Sequence, residues 1–508
     1  MKKTIHHIVL GLTSIAAFSA SAAVTDPAFG YLGQIKTRTT LEIQNAGLTS
    51  PFGIGGETTD RGFSTFSNWK SYLGPLGAQK IRVQSGWHFI EKTITTPATY
   101  DFTTLDEIID GARLQGVAPW VFLGYGNEQS GCTNCGTKGL GAALPSLAGK
   151  QRFLNFVTAT VSRYKTKVFD WEIWNEPDGH VNIDEYKVFI VDVAKAIKAI
   201  QPNAKLSIGS FTAGTNGAPG TAGYEFAKTA VEYFAANKGP TVASSDVSVS
   251  YHPYWNPVDY ESYTSEATKF NVMKALAENN GFKLRQGEAG APSAPCLYFN
   301  GCELAWNETS QAKFNLLRMV TDFAKGMESN IFTITDLHYD SGKNPKGLLE
   351  TGTFNASIDT PYINGDQTVK RKKIAYGAFQ NVTAVFDNRL ALIAAPNCTV
   401  PYGYNIKAFT RNDGGVIRNM LAVWKKISSL PNTETPTPIT VTCTGFHFPR
   451  LAVGSLLPRY ADLLDGRVYS TTTAVITGNN AATNAVTIKN VPVGDYPVLI
   501  ADQGIVLY

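Results

Sequence analysis

Two glutamates stand where short apolar runs stop. Glu176 follows the run 169–174 in Trp174-Asn175-Glu176-Pro177, and Glu288 lies in Gln286-Gly287-Glu288-Ala289-Gly290. Two carboxyl groups opposed across a cleft can split a glycosidic bond. One protonates the leaving oxygen, and the other attacks the anomeric carbon or activates water. Either glutamate alone is as well explained as a solvated or salt-bridged residue. The pair carries the reading, because both follow strand-like runs. Arg82, in Ile81-Arg82-Val83, is placed to hold Glu288 ionised through a charge-assisted hydrogen bond, with a barrel-end salt bridge as the plain alternative. His252 and Tyr254 follow a further run. A lone histidine is more often packed and hydrogen-bonded than metal-bound, and no second histidine lies at ligand spacing, so no metal is expected. Trp87, Tyr125, Asn127, Trp255 and His338 also follow such runs and are candidates to line a cleft. Flat aromatic faces stack on sugar rings, yet each of these residues is equally explained by core or rim packing. Glu172 shares a strand face with Trp174 and Glu176 and reads as a barrel-interior residue, not a third catalyst.

The elements that must position these groups alternate over residues 51–380. Strand-like runs fall at 51–54, 81–83, 119–123, 169–174, 205–208, 247–250, 283–285 and 331–334. Helical periodicity lies between them, at 105–114, 153–164, 186–200 and 313–327. Leu105, Ile108, Ile109 and Ala112 mark one helix face. Eight strands alternating with helices predict an α/β fold, a (β/α)8 TIM barrel, whose catalytic groups sit at the C-terminal strand ends. A doubly wound open sheet is the alternative, but no Gly-x-Gly-x-x-Gly follows a strand to support nucleotide binding. Over 381–508 the pattern changes to short strands at 391–395, 416–423, 440–442, 467–469, 485–488 and 497–500, separated by Gly-containing turns, which predicts an all-β sandwich. Residues 23–50 read as an arm whose alternation at 36–41 would add a strand to that sandwich.

With these placements, Trp174-Asn175-Glu176-Pro177, His252-Pro253-Tyr254 and Glu288 resemble the clan A glycoside hydrolases, and within the clan the chain is most similar to glycoside hydrolase family 39. Ile81-Arg82-Val83 leading to Trp87, Tyr100-Asp101-Phe102, Leu105-Asp106 and the downstream sandwich extend the resemblance over roughly residues 50–508. Family 39 contains β-xylosidases, α-L-iduronidases and an endoglycosidase that cuts a biofilm exopolysaccharide. The resemblance implies a retaining double displacement. Glu176 would be the acid/base and Glu288 the nucleophile. Asn175 would bond the sugar 2-hydroxyl, and the tyrosine after the sixth strand would touch the nucleophile. Like charge on Glu288 is expected to keep Glu176 protonated before attack.

The chain of 508 residues carries 45 Lys and Arg against 41 Asp and Glu. Lys2 and Lys3 open a segment with an apolar run over 8–20 and small residues at Ala20-Ser21-Ala22, the pattern of a secretory signal over 1–22. Beyond it 43 basic residues face 41 acidic ones, a near-neutral balance that gives no electrostatic case for nucleic acid. No later run is apolar enough for a membrane span. A secreted or periplasmic protein is expected, and six cysteines fit that setting. Six cysteines allow 15 connectivities. Pairing within Cys132/Cys135, Cys296/Cys302 and Cys398/Cys443 is the simplest, with Cys132-Thr-Asn-Cys135 read as a loop staple over a redox or metal motif. No cofactor is implied. The partner expected is an oligo- or polysaccharide. Long loops at 124–146 and 290–307 lean towards endo action on an exopolysaccharide. The alternatives are an exo-acting β-glycosidase such as a β-xylosidase, and a non-catalytic carbohydrate-binding protein on a barrel scaffold. The sequence leaves sugar, linkage and oligomeric state open.

Overall fold

The computed structural model describes residues 28–508 apart from 57, 131–143, 146, 180, 213–218, 255–263, 297–302, 340–341, 353–365, 395, 428–430, 432 and 450–455. The expected signal segment and Trp255, Cys132, Cys135 and Cys302 lie outside the described residues.

Eight parallel strands close into a barrel: β1 (Phe52–Gly55), β2 (Lys80–Gln84), β3 (Ala118–Leu123), β4 (Asp170–Ile173), β5 (Lys205–Phe211), β6 (Val247–Tyr251), β7 (Lys283–Ala289) and β8 (Ser329–Ile331). β8 pairs back onto β1 through Phe52–Ser329 to Ile54–Ile331. Alternation sorts the side chains. On β2, Ile81 and Val83 join the apolar core, while Arg82 bonds to Glu172 of β4 across the interior. On β4, the outward Trp171 donates Nε1–H to Gln201 behind helix Ile183–Ile200, and Asp170 and Glu172 face inward. The barrel is therefore apolar between strands and helices, and its interior carries charged groups that pack on Trp120 and Phe122.

Helices follow the strands: Phe66–Leu73, Thr103–Leu114, Leu147–Tyr164, Ile183–Ile200, Ala222–Asn237, Thr264–Asn279, Glu308–Ala324 and Ile374–Val385. Their buried faces are those the periodicity predicts, as with Leu105, Ile108, Ile109 and Ala112. Each fully buried Leu or Ile contributes roughly 1.5–3 kcal/mol. Several helices start earlier than the apolar periodicity does, because caps set the first turn. Asn182 accepts from the backbone N–H of Asp184 and Glu185, and Asn307 forms a reciprocal capping box with Ser310. The last helix runs across position 380. The eighth strand ends at Ile331, short of the expected 331–334, because Phe332 packs with Phe63 and Leu337 on the rim.

After the barrel come two antiparallel sheets. One has seven strands in the order Gly30–Gln34, Arg467–Ser470, Arg459–Asp462, Val498–Ala501, Val416–Lys425, Tyr404–Asp413, Leu390–Leu392. The other has four: Asn397–Thr399, Thr437–Thr444, Ala485–Val493, Ile476–Asn480. Cys398 and Cys443 face each other across neighbouring strands and form a disulfide, as expected. Cys296 is also disulfide-bonded, to a cysteine outside the described residues. The arm does join the sandwich, but through Gly30–Gln34 and not 36–41. Thr39 and Glu42 form a capping box that turns Thr40–Asn45 into a helix, overriding the alternation. Among the described residues no helix is long and apolar enough to cross a membrane.

Candidate active site

The C-terminal strand ends bring Arg82, Asn175, Glu176, His252, Tyr254 and Glu288 together. Glu176 sits on a turn that few residues adopt. Trp174 has φ 68° and Glu176 φ 47°, left-handed values that cost on the order of 1–3 kcal/mol each outside glycine. Packing fixes that turn. The Trp174 indole is buried against Phe153, Phe189 and Tyr125, and its backbone N–H donates to the Leu123 carbonyl at 3.1 Å. Asp178 ties the far side to β5 by accepting from the Thr212 backbone N–H at 3.0 Å.

Glu288 is aimed by an irregularity. The β7–β8 register shifts between Gln286 and Ala289, which re-points the side chains around Glu288. The flanking glycines have no room for a side chain. A Cβ on Gly287 would lie 2.2 Å from Ser250 Oγ, and one on Gly290 would lie 2.1 Å from the Phe332 carbonyl oxygen.

Arg82 organises the floor and is fully buried. Its Nε donates to Glu172 at 2.7 Å, Nη1 to Glu288 at 3.0 Å and Nη2 to Asn175 at 2.6 Å. Asn175 in turn donates from Nδ2 to the Tyr125 hydroxyl at 2.8 Å, and Tyr254 donates its hydroxyl to Glu288 Oε1. Glu172 lies wholly inside, as expected, and also accepts from the Ser210 hydroxyl. Glu288 thus accepts hydrogen bonds from a guanidinium and a phenol.

Glu176 faces His252, with Oε1 2.9 Å from Nδ1. Burial alone would raise the Glu176 carboxyl. The hydrogen bond and charge of His252, with Arg82 and Lys346, outweigh it and hold Glu176 below the usual carboxylate range. Burial would lower His252, but the charge of Glu288 and the bond to Glu176 hold it above its ordinary value. The expectation that repulsion from Glu288 raises Glu176 is not met: the imidazole lies 2.9 Å from Glu176 and 3.7 Å from Glu288, and its effect on Glu176 is the larger. Glu176 and His252 therefore act as one acid–base pair.

The ligand-type atoms of Glu176, His252 and Glu288 all lie within 4.8 Å of one another. Arg82 on Glu288, and Lys346 interacting with both carboxylates, disfavour a cation there, and the cluster has the composition of an acid–base site.

Other expected contacts are placed in the walls. Trp87 is fully buried between Phe153 and Phe156 and donates Nε1–H to Glu91. Asn127 is buried and donates to the Glu91 carbonyl at 2.8 Å. His338 is buried on the strand Leu337–Tyr339, with Nε2 2.8 Å from the Thr351 hydroxyl. All three side chains are buried, as are those of Arg82 and His252. Tyr125 is half-buried beside Asn175, its phenol held protonated by burial. Two residues near the glutamates escaped sequence reasoning. Arg61, in the connection after β1, lies over the rings of Phe63 and Tyr125. Lys346, in the connection after β8, lies over Tyr254. Neither belongs to a motif, and only the rule that barrel sites gather at βα connections points to them.

The chain matches no protein-family model and no curated protein sequence. Its fold is shared with solved structures. A family 39 glycoside hydrolase from the gut symbiont Bacteroides cellulosilyticus has a TM-score of 0.58 at 15% identity, over 89% of this chain and 81% of that one. A monomeric β-xylosidase from Caulobacter crescentus has 0.54 at 14%, over 93% and 98%. The GH39 enzyme from Xanthomonas axonopodis pv. citri has 0.54 at 15%, over 93% and 97%. The barrel-plus-sandwich architecture that the sequence predicts is thus the architecture of these enzymes across nearly the whole chain.

Proposed function

We propose that the chain is an exported retaining glycoside hydrolase, secreted or periplasmic, acting on a carbohydrate polymer. One observation carries the reading: carboxylate oxygens of Glu176 and Glu288, at the ends of β4 and β7, lie within 4.8 Å of each other. Retaining enzymes hold their carboxyl groups about 5–5.5 Å apart, whereas inverting ones leave about 6.5–9.5 Å for a water. The named activities of the structural relatives support the same class.

In the first step a Glu288 oxygen bonds to the anomeric carbon. The glycosidic C–O bond breaks, and its electron pair goes to the leaving oxygen, which takes the proton held by the Glu176–His252 pair. In the second step water bonds to the anomeric carbon and gives its proton to that pair. The ester bond breaks, and its electrons return to Glu288. Substrate covering Glu176 removes solvent from the carboxylate–imidazolium ion pair and favours the neutral form in which the carboxyl carries the proton. Asn175, clamped between Arg82 and Tyr125, is oriented to bond a hydroxyl beside the reacting carbon.

The test is product length. The mature protein and a Glu288→Gln control are incubated with plant and bacterial polysaccharides, and the products are sized by mass spectrometry. Oligosaccharides made only by the unmutated protein support endo action and identify the polymer. Monosaccharide alone moves the reading to an exo-acting β-glycosidase such as a β-xylosidase, the activity named for the Caulobacter relative being that of a β-xylosidase. Sugar binding without turnover would sink the hydrolase reading.

A further inference from the structure

Lys346 is a buried lysine that the mechanism above does not use. Its backbone is fixed from three sides. Its carbonyl accepts from Gln311 Nε2 at 3.1 Å and from the Thr333 N–H at 3.4 Å, and its N–H donates to Asn344 Oδ1 at 3.3 Å. The loop around it is anchored by buried Asp336, which binds Lys373 and, at 3.0 Å, Lys343, and accepts from the Gly347 N–H. Its ammonium lies 4.1 Å from the centre of the Tyr254 ring, and the Tyr254 hydroxyl donates to Glu288. Both Glu288 and Glu176 interact electrostatically with it.

The charged groups around it come from several strand ends. Arg82 extends from β2, Glu172 and Glu176 from β4, His252 and Tyr254 from β6, and Glu288 from β7. Arg61 lies over the Tyr125 ring. Arg82 has each guanidinium nitrogen committed to a different partner, so its charge is locked in place. In glycosyl transfer the negative charge does not stay in place. It leaves Glu288 as that oxygen becomes an ester, and it appears on the Glu176–His252 pair as the proton goes to the leaving oxygen. Hydrolysis of the ester reverses both changes.

We propose that Lys346 is a positioning residue for this reaction, a fixed cation seated on the Tyr254 ring beside Glu288, whose charge stabilises the negative charge on Glu288 before glycosyl transfer and on Glu176 after it. The proposal rests on the retaining reading above. A fixed cation beside both carboxylates stabilises whichever of them carries the charge, whereas the Arg82 guanidinium is tied to Glu172, Glu288 and Asn175. Burial holds Lys346 below the usual lysine range, to about 8, so its charge is present through neutral pH and is lost in mild alkali.

The test uses Lys346→Met and Lys346→Arg in the full chain, with an activated aryl glycoside. In Lys346→Met both carboxylates lose a cation. The acid limb of kcat/KM is expected to move up by about one pH unit. On the plateau above that limb, breakdown of the glycosyl-enzyme is expected to slow about tenfold, read as a kcat that falls while the burst amplitude persists. Lys346→Arg restores most of both, which a merely packed lysine would not require. Independently of turnover, the pH at which His252 titrates by NMR, assigned with His252→Gln, rises in Lys346→Met. An unmoved acid limb with an unchanged ratio of kcat to kcat/KM in Lys346→Met overturns the proposal while leaving the hydrolase reading intact. If the unmutated chain turns over no glycoside, the hydrolase reading fails and takes the charge handover with it. The His252 titration then separates that failure from a cation that never faced the pair.

Discussion

The barrel encloses a cluster of charge at each end of its axis, and the two are built differently. At the N-terminal end, Lys80 and Arg285 meet Asp170 and Glu328. Lys80 lies 2.6 Å from Asp170 and 3.0 Å from Glu328, and Arg285 lies 2.8 Å from Asp170 and also bonds Glu328. Two cations and two anions are cross-paired, and both carboxyls are held below their ordinary range: burial raises them, and the charges of Arg285 and Lys80 outweigh it. At the C-terminal end, Arg82 ties down Glu172 and Glu288, and Glu176 is left facing an imidazole that can hold or release its proton. Between the ends lies Trp120, its ring centre 3.8 Å from the Arg285 guanidinium carbon and 5.5 Å from that of Arg82. Closed pairing makes a cluster structural. One carboxylate held ionised beside another with a movable proton makes a cluster reactive.

The largest test of that contrast is Glu288→Gln. The amide keeps the volume but removes the nucleophile, so turnover is expected to fall by at least about ten-thousandfold on every glycoside. Melting temperature should fall only slightly, because Arg82 keeps Glu172 and the amide oxygen can still accept its Nη1–H. A variant that lost stability in proportion to activity would place Glu288 with the structural cluster instead.

Glu176→Ala comes next. General acid–base groups contribute roughly 100- to 10,000-fold. That loss is expected in kcat/KM for natural substrates, whose leaving oxygen needs a proton. An activated aryl glycoside should lose far less in the same parameter, because its leaving group departs unprotonated. Equal loss on both substrates would remove Glu176 from the acid role.

Tyr254→Phe should act more weakly. It deletes one hydrogen bond to the charged Glu288, worth about 1.5–3 kcal/mol, so kcat/KM is expected to fall roughly ten- to a hundredfold. A Tyr254→Phe rate equal to that of the unmutated protein would show that the phenol contributes nothing to the nucleophile.

Much of this contrast is legible in the sequence. Periodicity marks the eight strands, and the rule that strand C-termini carry function separates Glu176 and Glu288 from the other 39 acidic residues. Proton location is not legible. It depends on His252 lying 2.9 Å from Glu176 and 3.7 Å from Glu288, a distance set by how β4, β6 and β7 tilt around the barrel. Nor is the part played by Trp87, Asn127 and His338, which the structure buries beside Glu91 and Thr351. Short edge strands such as Asn397–Thr399 and Ile476–Asn480 carry few apolar residues and escape periodicity altogether.

Arg285→Met probes the opposite end and should give the smallest effect. Arg285 touches no reacting group, so turnover per folded molecule is expected to change little. Its loss leaves Asp170 and Glu328 sharing Lys80 alone. Breaking a fully buried pair costs about 3–5 kcal/mol, but Glu328 is 43% exposed and water screens it, so about 1–2 kcal/mol of stability is the expected loss at pH 7. The pH dependence gives the sign. The folded-state carboxyl of Asp170 is depressed, chiefly by Arg285 against the opposing effect of burial, so its stabilisation is fully present above the unfolded value near about 4 and fades as acid protonates it. The gap in melting temperature between Arg285→Met and the unmutated protein should therefore be widest near neutrality and narrow as the pH falls below about 4. A gap that stayed constant with pH would mean that Arg285 acts through its stacking on Trp120 and not through its charge.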